Sequence, residues 1–378
     1  MQLSKGKTFV FVVALVMLMV PLVSVSNAET QTLTAKEKTQ LFLSSVIGID
    51  MTKYVAIRDS SGVSYPSTFG GLVKQETEGF DFKAADGSEL QGMAMYDNQF
   101  VAAFVLSITG SATYSNLYST NALSAAKNIL AKYGAFAQTC NINSPCLNSA
   151  TAMLSDVGAL ATSNTTSGNT KMEITSSAST SDNTTSTQIA WVYTANNVDA
   201  QPKQLSISFT SFDGGVQVNF VDTWGLYSVA DNDLSQAEAT SIAWQAAQNY
   251  RFAMGNENGV TTYVQPVWAN VTPSVGIAMV PGQEFNDSLV KTLNWTAGST
   301  VRDPLTLYPL WQTVFYLNQS VGDAVGVQVG VWGDTTEVAY CSEFSYFGLS
   351  GPSTTAEPTI SNSPQLSIQP QTKLQSQH

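Results

Sequence analysis

Histidine occurs once in the 378 residues, as His378, and cysteine three times, as Cys140, Cys146 and Cys341. With its one histidine at the very end, the chain assembles neither a Ser-His-Asp nor a Cys-His hydrolytic set. Three cysteines and that distal histidine offer no zinc-ligand spacing either, so no metal and no other cofactor is expected. Charge is scarce as well: Lys, Arg, Asp and Glu make up 12% of the chain, and the 16 basic residues form no run. Phosphate backbones are held by clustered cations that release counterions, which excludes nucleic acid as a partner. The balance is acidic, −12 at pH 7, so solubility leans on Ser, Thr, Asn and Gln. Long apolar runs are absent except for one, Phe9 to Val25, so only that segment could hold the chain to a membrane.

That run follows Lys5 and Lys7 and precedes Ser26, Asn27 and Ala28. A positive start, an apolar middle and small residues before polar sequence predict a signal peptide over residues 1–28, cut after Ala28. Left uncut, the same segment would serve as an N-terminal anchor. Its removal takes two lysines and no acid, moving the formal charge from −12 to −14. Asn164, Asn183, Asn270, Asn286, Asn294 and Asn318 each begin Asn-x-Ser/Thr, the sugar-acceptor pattern of exported chains. The expected location is therefore secreted or extracellular, or the cell surface if the anchor stays. Cys140 and Cys146 enclose only residues 141–145, and an oxidising compartment predicts a small disulfide loop between two helices. Cys341, in an apolar stretch, is expected to be unpaired and buried.

Length predicts two domains. Sixteen of the 26 residues from Thr162 to Thr187 are Ser or Thr, which reads as a linker over 162–187 between an N-terminal domain, 29–161, and a C-terminal one, 188–350. Residues 351–378, with Pro352, Pro358, Pro364 and Pro370 among Ser, Thr and Gln, read as a disordered tail. Thr34 stands three residues before Glu37, and Ser235 three before Glu238, so each opens a helix with a capping box and together they suggest two related halves. Two more helices are expected, Leu123 to Ala137 and Ser149 to Ala161. A turn at Asp97-Asn98 and another at Asp213-Gly214-Gly215 predict antiparallel hairpins. Later strands are expected at Thr261 to Trp268, Val275 to Val280, Trp311 to Leu317, Val325 to Trp332 and Glu337 to Phe344. The order of elements predicts an α+β fold in both domains, with helices packed on antiparallel sheets.

In Val329 to Cys341, VGVWGDTTEVAYC, two acids lie three residues apart beside Trp332. Val325, Val327, Val329 and Val331 alternate with Gly326, Gln328, Gly330 and Trp332, so a strand with a buried valine face runs into a Gly-Asp-Thr-Thr turn. Asp334 and Glu337 are read as turn and strand-edge residues, so replacing them by Asn and Gln is expected to be silent. The helix opening LSQAEATSIAWQAA and this closing hairpin resemble the PepSY and YpeB-type module over roughly residues 234–345. Ser235, Glu238 and Ala239 match its helix start, and Asp334, Thr335, Glu337 and Val338 its closing turn; Thr336 stands where the family usually has glycine. The resemblance implies a small extracytoplasmic domain that restrains or regulates peptidases and carries no catalytic residues. The expectation is thus a noncatalytic glycoprotein binding a peptide or protein, with a peptidase as one candidate partner. A structural surface or matrix protein is the alternative. A glycosidase using two among Asp213, Asp222, Asp334 and Glu337 stands third. The seven tryptophans are read mostly as core, against a sugar- or peptide-binding platform.

Overall fold

The structure is a computed structural model that describes residues 33–110, 122–179, 183–255, 261–282 and 302–345. The predicted signal peptide and tail lie outside them, as do Asn286, Asn294, Trp295 and His378.

The first helix, α1 (Ala35–Leu41), starts at the predicted capping box: the Thr34 hydroxyl accepts from the Glu37 amide and the Glu37 carboxylate from the Thr34 amide. It continues as a π-helical turn, Phe42–Ile47, ended by Gly48 at φ 85°. Four strands follow in a meander, β1 (Tyr54–Ser64), β2 (Gln75–Ala84), β3 (Glu89–Asp97) and β4 (Phe100–Thr109). Two helices, α2 (Ala122–Thr139) and α3 (Leu147–Ser155), precede five more strands. These are β5 (Ser163–Ser167), β6 (Thr170–Ser179), β7 (Thr184–Ala195), β8 (Val198–Phe212) and β9 (Gly215–Asp222). All nine form one antiparallel sheet in the order β1-β2-β3-β4-β9-β8-β7-β6-β5, closed in the middle by β4 against β9. Alternation sets its inner face: Leu106, Ile108, Val216, Val218, Phe220, Leu205 and Ile207 are buried beneath the helices. At the centre the Phe42 ring lies 4.4 Å from Phe104, 5.1 Å from Phe136 and 5.2 Å from Phe220.

A second, smaller sheet has its own core. After β10 (Ser228–Val229), helix α4 (Gln236–Asn249) begins at the other predicted capping box, Ser235 with Glu238. A two-stranded hairpin, β11 (Phe252–Gly255) and β12 (Thr261–Val264), follows. Next come β13 (Ser274–Pro281), β14 (Thr306–Val321), β15 (Ala324–Trp332) and β16 (Val338–Ser345). The small residues Ala243, Ala246 and Ala247 let α4 lie close on Val327, Val329, Val331 and Val338. On the other face of β15 the two glycine positions have no room for a side chain: a Cβ on Gly326 would fall 2.7 Å from the Phe315 carbonyl oxygen and one on Gly330 2.4 Å from the Tyr340 ring. A small cluster of Ala200, Met279 and Leu307 joins the two sheets.

Three expectations are corrected here. The fold is mostly β, with 51% strand and 22% helix among the described residues and a nine-stranded sheet as its main body, not an α+β layering of helices on sheets. The Ser/Thr-rich stretch 162–187 is no linker. It forms β5, β6 and the start of β7, because threonine suits an extended backbone and Thr170, Met172 and Ile174 alternate inward. The boundary at 161–188 therefore falls inside a sheet, and the β8–β9 hairpin belongs with the first four strands.

Candidate functional site

The predicted disulfide is not formed; Cys140 and Cys146 are both free, buried thiols, as is Cys341. Cys140 sits at the end of α2, where burial pushes its pKa up to about 11 against the pull of the Lys38 ammonium. Cys146 caps α3 beside Ser144 and is raised further, by burial first and then by the charge of Asp222. The short spacing suggested a bridge, yet the two thiols face different neighbours. Cys341 lies opposite Val329 on β16, and burial raises it to about 12. Of the six sugar-acceptor asparagines, Asn164, Asn183, Asn270 and Asn318 are described, and all four are exposed.

Of the four acids weighed for glycosidase chemistry, Asp213 and Asp222 do not form a pair. Asp213 is exposed at the β8–β9 turn and Asp222 is buried at the far end of β9. Nine residues of strand put them about 30 Å apart, whereas glycosidic carboxylates work at about 5–10 Å. Asp222 accepts from the Tyr133 hydroxyl at 2.7 Å and the Trp224 amide at 3.2 Å. Burial nevertheless holds its pKa above the ordinary carboxylate value, with Ser144, Tyr133, the Trp224 amide and Lys203 pulling the other way. Asp334 does lie in the predicted turn, but it also accepts two bonds from the Arg302 guanidinium, at 2.8 and 3.1 Å. That guanidinium, 5% exposed, is stacked 4.5 Å from the Tyr308 ring and 4.2 Å from Trp332. Trp191, Trp224 and Trp332 are buried, and Trp244, Trp268 and Trp311 pack partly buried against the second core, so the described tryptophans build no platform.

Two features missed by sequence reasoning stand out. The first is the outer edge of β1, with which no strand pairs among the described residues. Every residue after Tyr54 in this strand is exposed, and Val55, Ile57, Val63 and the adjoining Tyr65 are 59–72% exposed. One bulge, at Ile57, interrupts its pairing with β2. The opposite edge, β5, has five residues, Ser-Asn-Thr-Thr-Ser, and carries the acceptor Asn164. Sheets usually blunt their edges with short, charged, bulged or polar strands; β5 is short and polar, whereas β1 has a bulge and the charges of Arg58 and Asp59 at its centre but stays long, with exposed apolar side chains to either side.

The second is a cleft of about 310 Å³ lined by Leu33, Thr34, Lys38, Lys74, Glu76, Asn98, Gln99, Thr139, Cys140 and Asn141. Its walls come from four parts of the chain: the start of α1, the start of β2, the β3–β4 turn and the end of α2. Lys38 and Lys74 bond the two oxygens of Glu76 at 2.9 and 2.8 Å. Burial favours the neutral Glu76, but the two ammonium groups outweigh it and hold its pKa below the usual range. Among the described residues no cluster of His, Cys, Asp and Glu could hold a metal ion, and no helix is long and apolar enough to cross a membrane.

No family model, no curated protein and no solved structure matches the chain.

Proposed function

We propose that the chain is an exported, glycosylated binding protein that takes up an extended segment of a partner protein along β1, with no catalysis of its own. The observation that carries this reading is the open β1 edge. Its outer amides and carbonyls, which pair with no strand among the described residues, can accept one more strand, and alternate side chains such as Val55 and Ile57 supply apolar contacts. Four exposed sugar-acceptor asparagines agree with an exported surface. The second sheet, with its boxed helix on a valine face, is consistent with the PepSY-type resemblance, and the resemblance suggests a peptidase as the partner.

The test is retention of a partner from the chain's own secretome by the full-length protein and by an Ile57→Lys, Val63→Lys variant. Tyr263→Lys on β12, as exposed as Ile57 and Val63, is the control. The reading expects the edge variant alone to lose the partner; retention by it would overturn the proposal. A second reading, self-assembly at a surface, is favoured by the near-mirror arrangement of apolar residues about Ser60, with Ile57 answering Val63 and Val55 answering Tyr65. Sedimentation separates the two, since self-pairing predicts a dimer that the edge variant abolishes.

A further inference from the structure

We infer that the cleft between α1, the β3–β4 turn and the end of α2 is a binding site for a compact carboxylate. It is separate from the β1 edge and needs no strand addition there.

The lining consists mainly of donors. Lys38 and Lys74 give two cations, and Glu76 is the one carboxylate in the lining, already bonded by both. The set therefore keeps one positive charge, partly sheltered, since the Lys38 side chain is 5% exposed. Glu78, two residues along β2, lies outside the lining and is bonded to Ser61. The Asn98 carbonyl oxygen accepts the Lys74 amide at 2.8 Å, which leaves its NH₂ group as a donor. Gln99 and Asn141 have no side-chain hydrogen-bond partner among the described residues. One net cation with two or three amide donors matches a monoanionic carboxylate, whose two oxygens accept several bonds at once. A phosphate dianion would bring more negative charge against Glu76.

Backbone strain adds a second line. Asn98, Gln99 and Asn141 stand at φ 52°, 101° and 56°, three of the six described non-glycine residues with positive φ. Asparagine tolerates this region; glutamine does not, and a glycine would relieve the cost. A glutamine kept there, lining a cleft, marks strain held for a purpose other than stability. The volume, at the lower end of the roughly 300–1,000 Å³ of small-molecule sites, suits a single residue or sugar ring.

The experiment is calorimetric titration of the full chain with four probes: N-acetyl-glycyl-valine, its C-terminal amide, glucuronate and inorganic phosphate. At least one of the two carboxylates should bind, and the amide and phosphate should not. The peptide acid binding alone identifies a peptide terminus, and glucuronate alone an acidic sugar. Lys74→Met, which removes a half-exposed ammonium and keeps the apolar stem, should abolish binding while the protein still melts cooperatively. Gln99→Gly should raise the melting temperature while weakening binding roughly tenfold, the worth of one hydrogen bond; a merely structural glutamine would not link the two effects. The inference fails if no carboxylate binds at millimolar concentration, if the amide binds as well as the acid, or if Lys74→Met leaves binding unchanged.

Discussion

Asp334 has more to do than its place in a Gly-Asp-Thr-Thr turn implies. The turn predicted from sequence is there, but Arg302, 32 positions away and nearly buried, depends on this carboxylate. Asp334→Asn is therefore expected to destabilise by about 1–3 kcal/mol, because an amide offers one acceptor where the guanidinium used two. Denaturant melts measure it, and an unchanged midpoint would return Asp334 to a pure turn role. Val329→Asp should cost more than about 4 kcal/mol, since it places an unpaired charge on a face fully closed by α4. Asp222 gives a pH signature. Its folded pKa lies above the unfolded one, so the folded state binds the extra proton. Stability from this group is then present in acid and lost as pH rises past the ordinary Asp value near about 3.9 toward the raised one. Asp222→Asn keeps an acceptor for Tyr133 and does not titrate. Its melting temperature relative to the parent should rise with pH across that window; a constant difference would mean the carboxyl is not raised.

At the scale of elements, what could be seen in the sequence depended on whether local chemistry or distant partners made the element. Both capping boxes form, the hairpins at Asp97 and Asp213 are in place, and Ala122–Thr139 and Leu147–Ser155 match the expected helices to within a few residues at most ends. The strands β1 and β5 were opaque, because exposure on both faces removes the alternation that announces a strand, and β6 shows it only from Thr170 to Ile174, within a Ser/Thr-rich stretch. They are strands because neighbours supply their ladders. The cleft was equally hidden, being assembled from segments far apart in the chain. Two glycines show how the sheets constrain sequence. A Cβ on Gly92 would lie 2.0 Å from the Val105 carbonyl oxygen, which backbone pairing fixes, whereas on Gly330 its three nearest neighbours are all atoms of the Tyr340 ring. Gly330→Ala should be substantially rescued in a Tyr340→Ala background, with a coupling of about 1 kcal/mol or more. Gly92→Ala should find no such partner. Double-mutant melts at both positions decide it.

For the whole molecule, the pairing of β4 with β9 is the main constraint. It ties residues 100–109 to residues 215–222, so everything between them, α2, α3 and four strands, is held inside one cooperative unit. A fragment ending at Thr187 would leave β4 without its central neighbour and should fail to melt cooperatively, whereas one ending at Tyr227 should keep a β-type circular dichroism spectrum and a sharp transition. The two free margins of that sheet also differ, and the difference sets a valency. One margin is long and exposes Val55, Ile57 and Val63, the other is five polar residues with a sugar acceptor. A body with a single adhesive side can take one strand, or close on one twin about a two-fold axis, and then has nothing left to offer. If β1 is the docking margin, growth through this sheet would end at the first encounter, which predicts pairs and complexes of fixed size in sedimentation, not fibres.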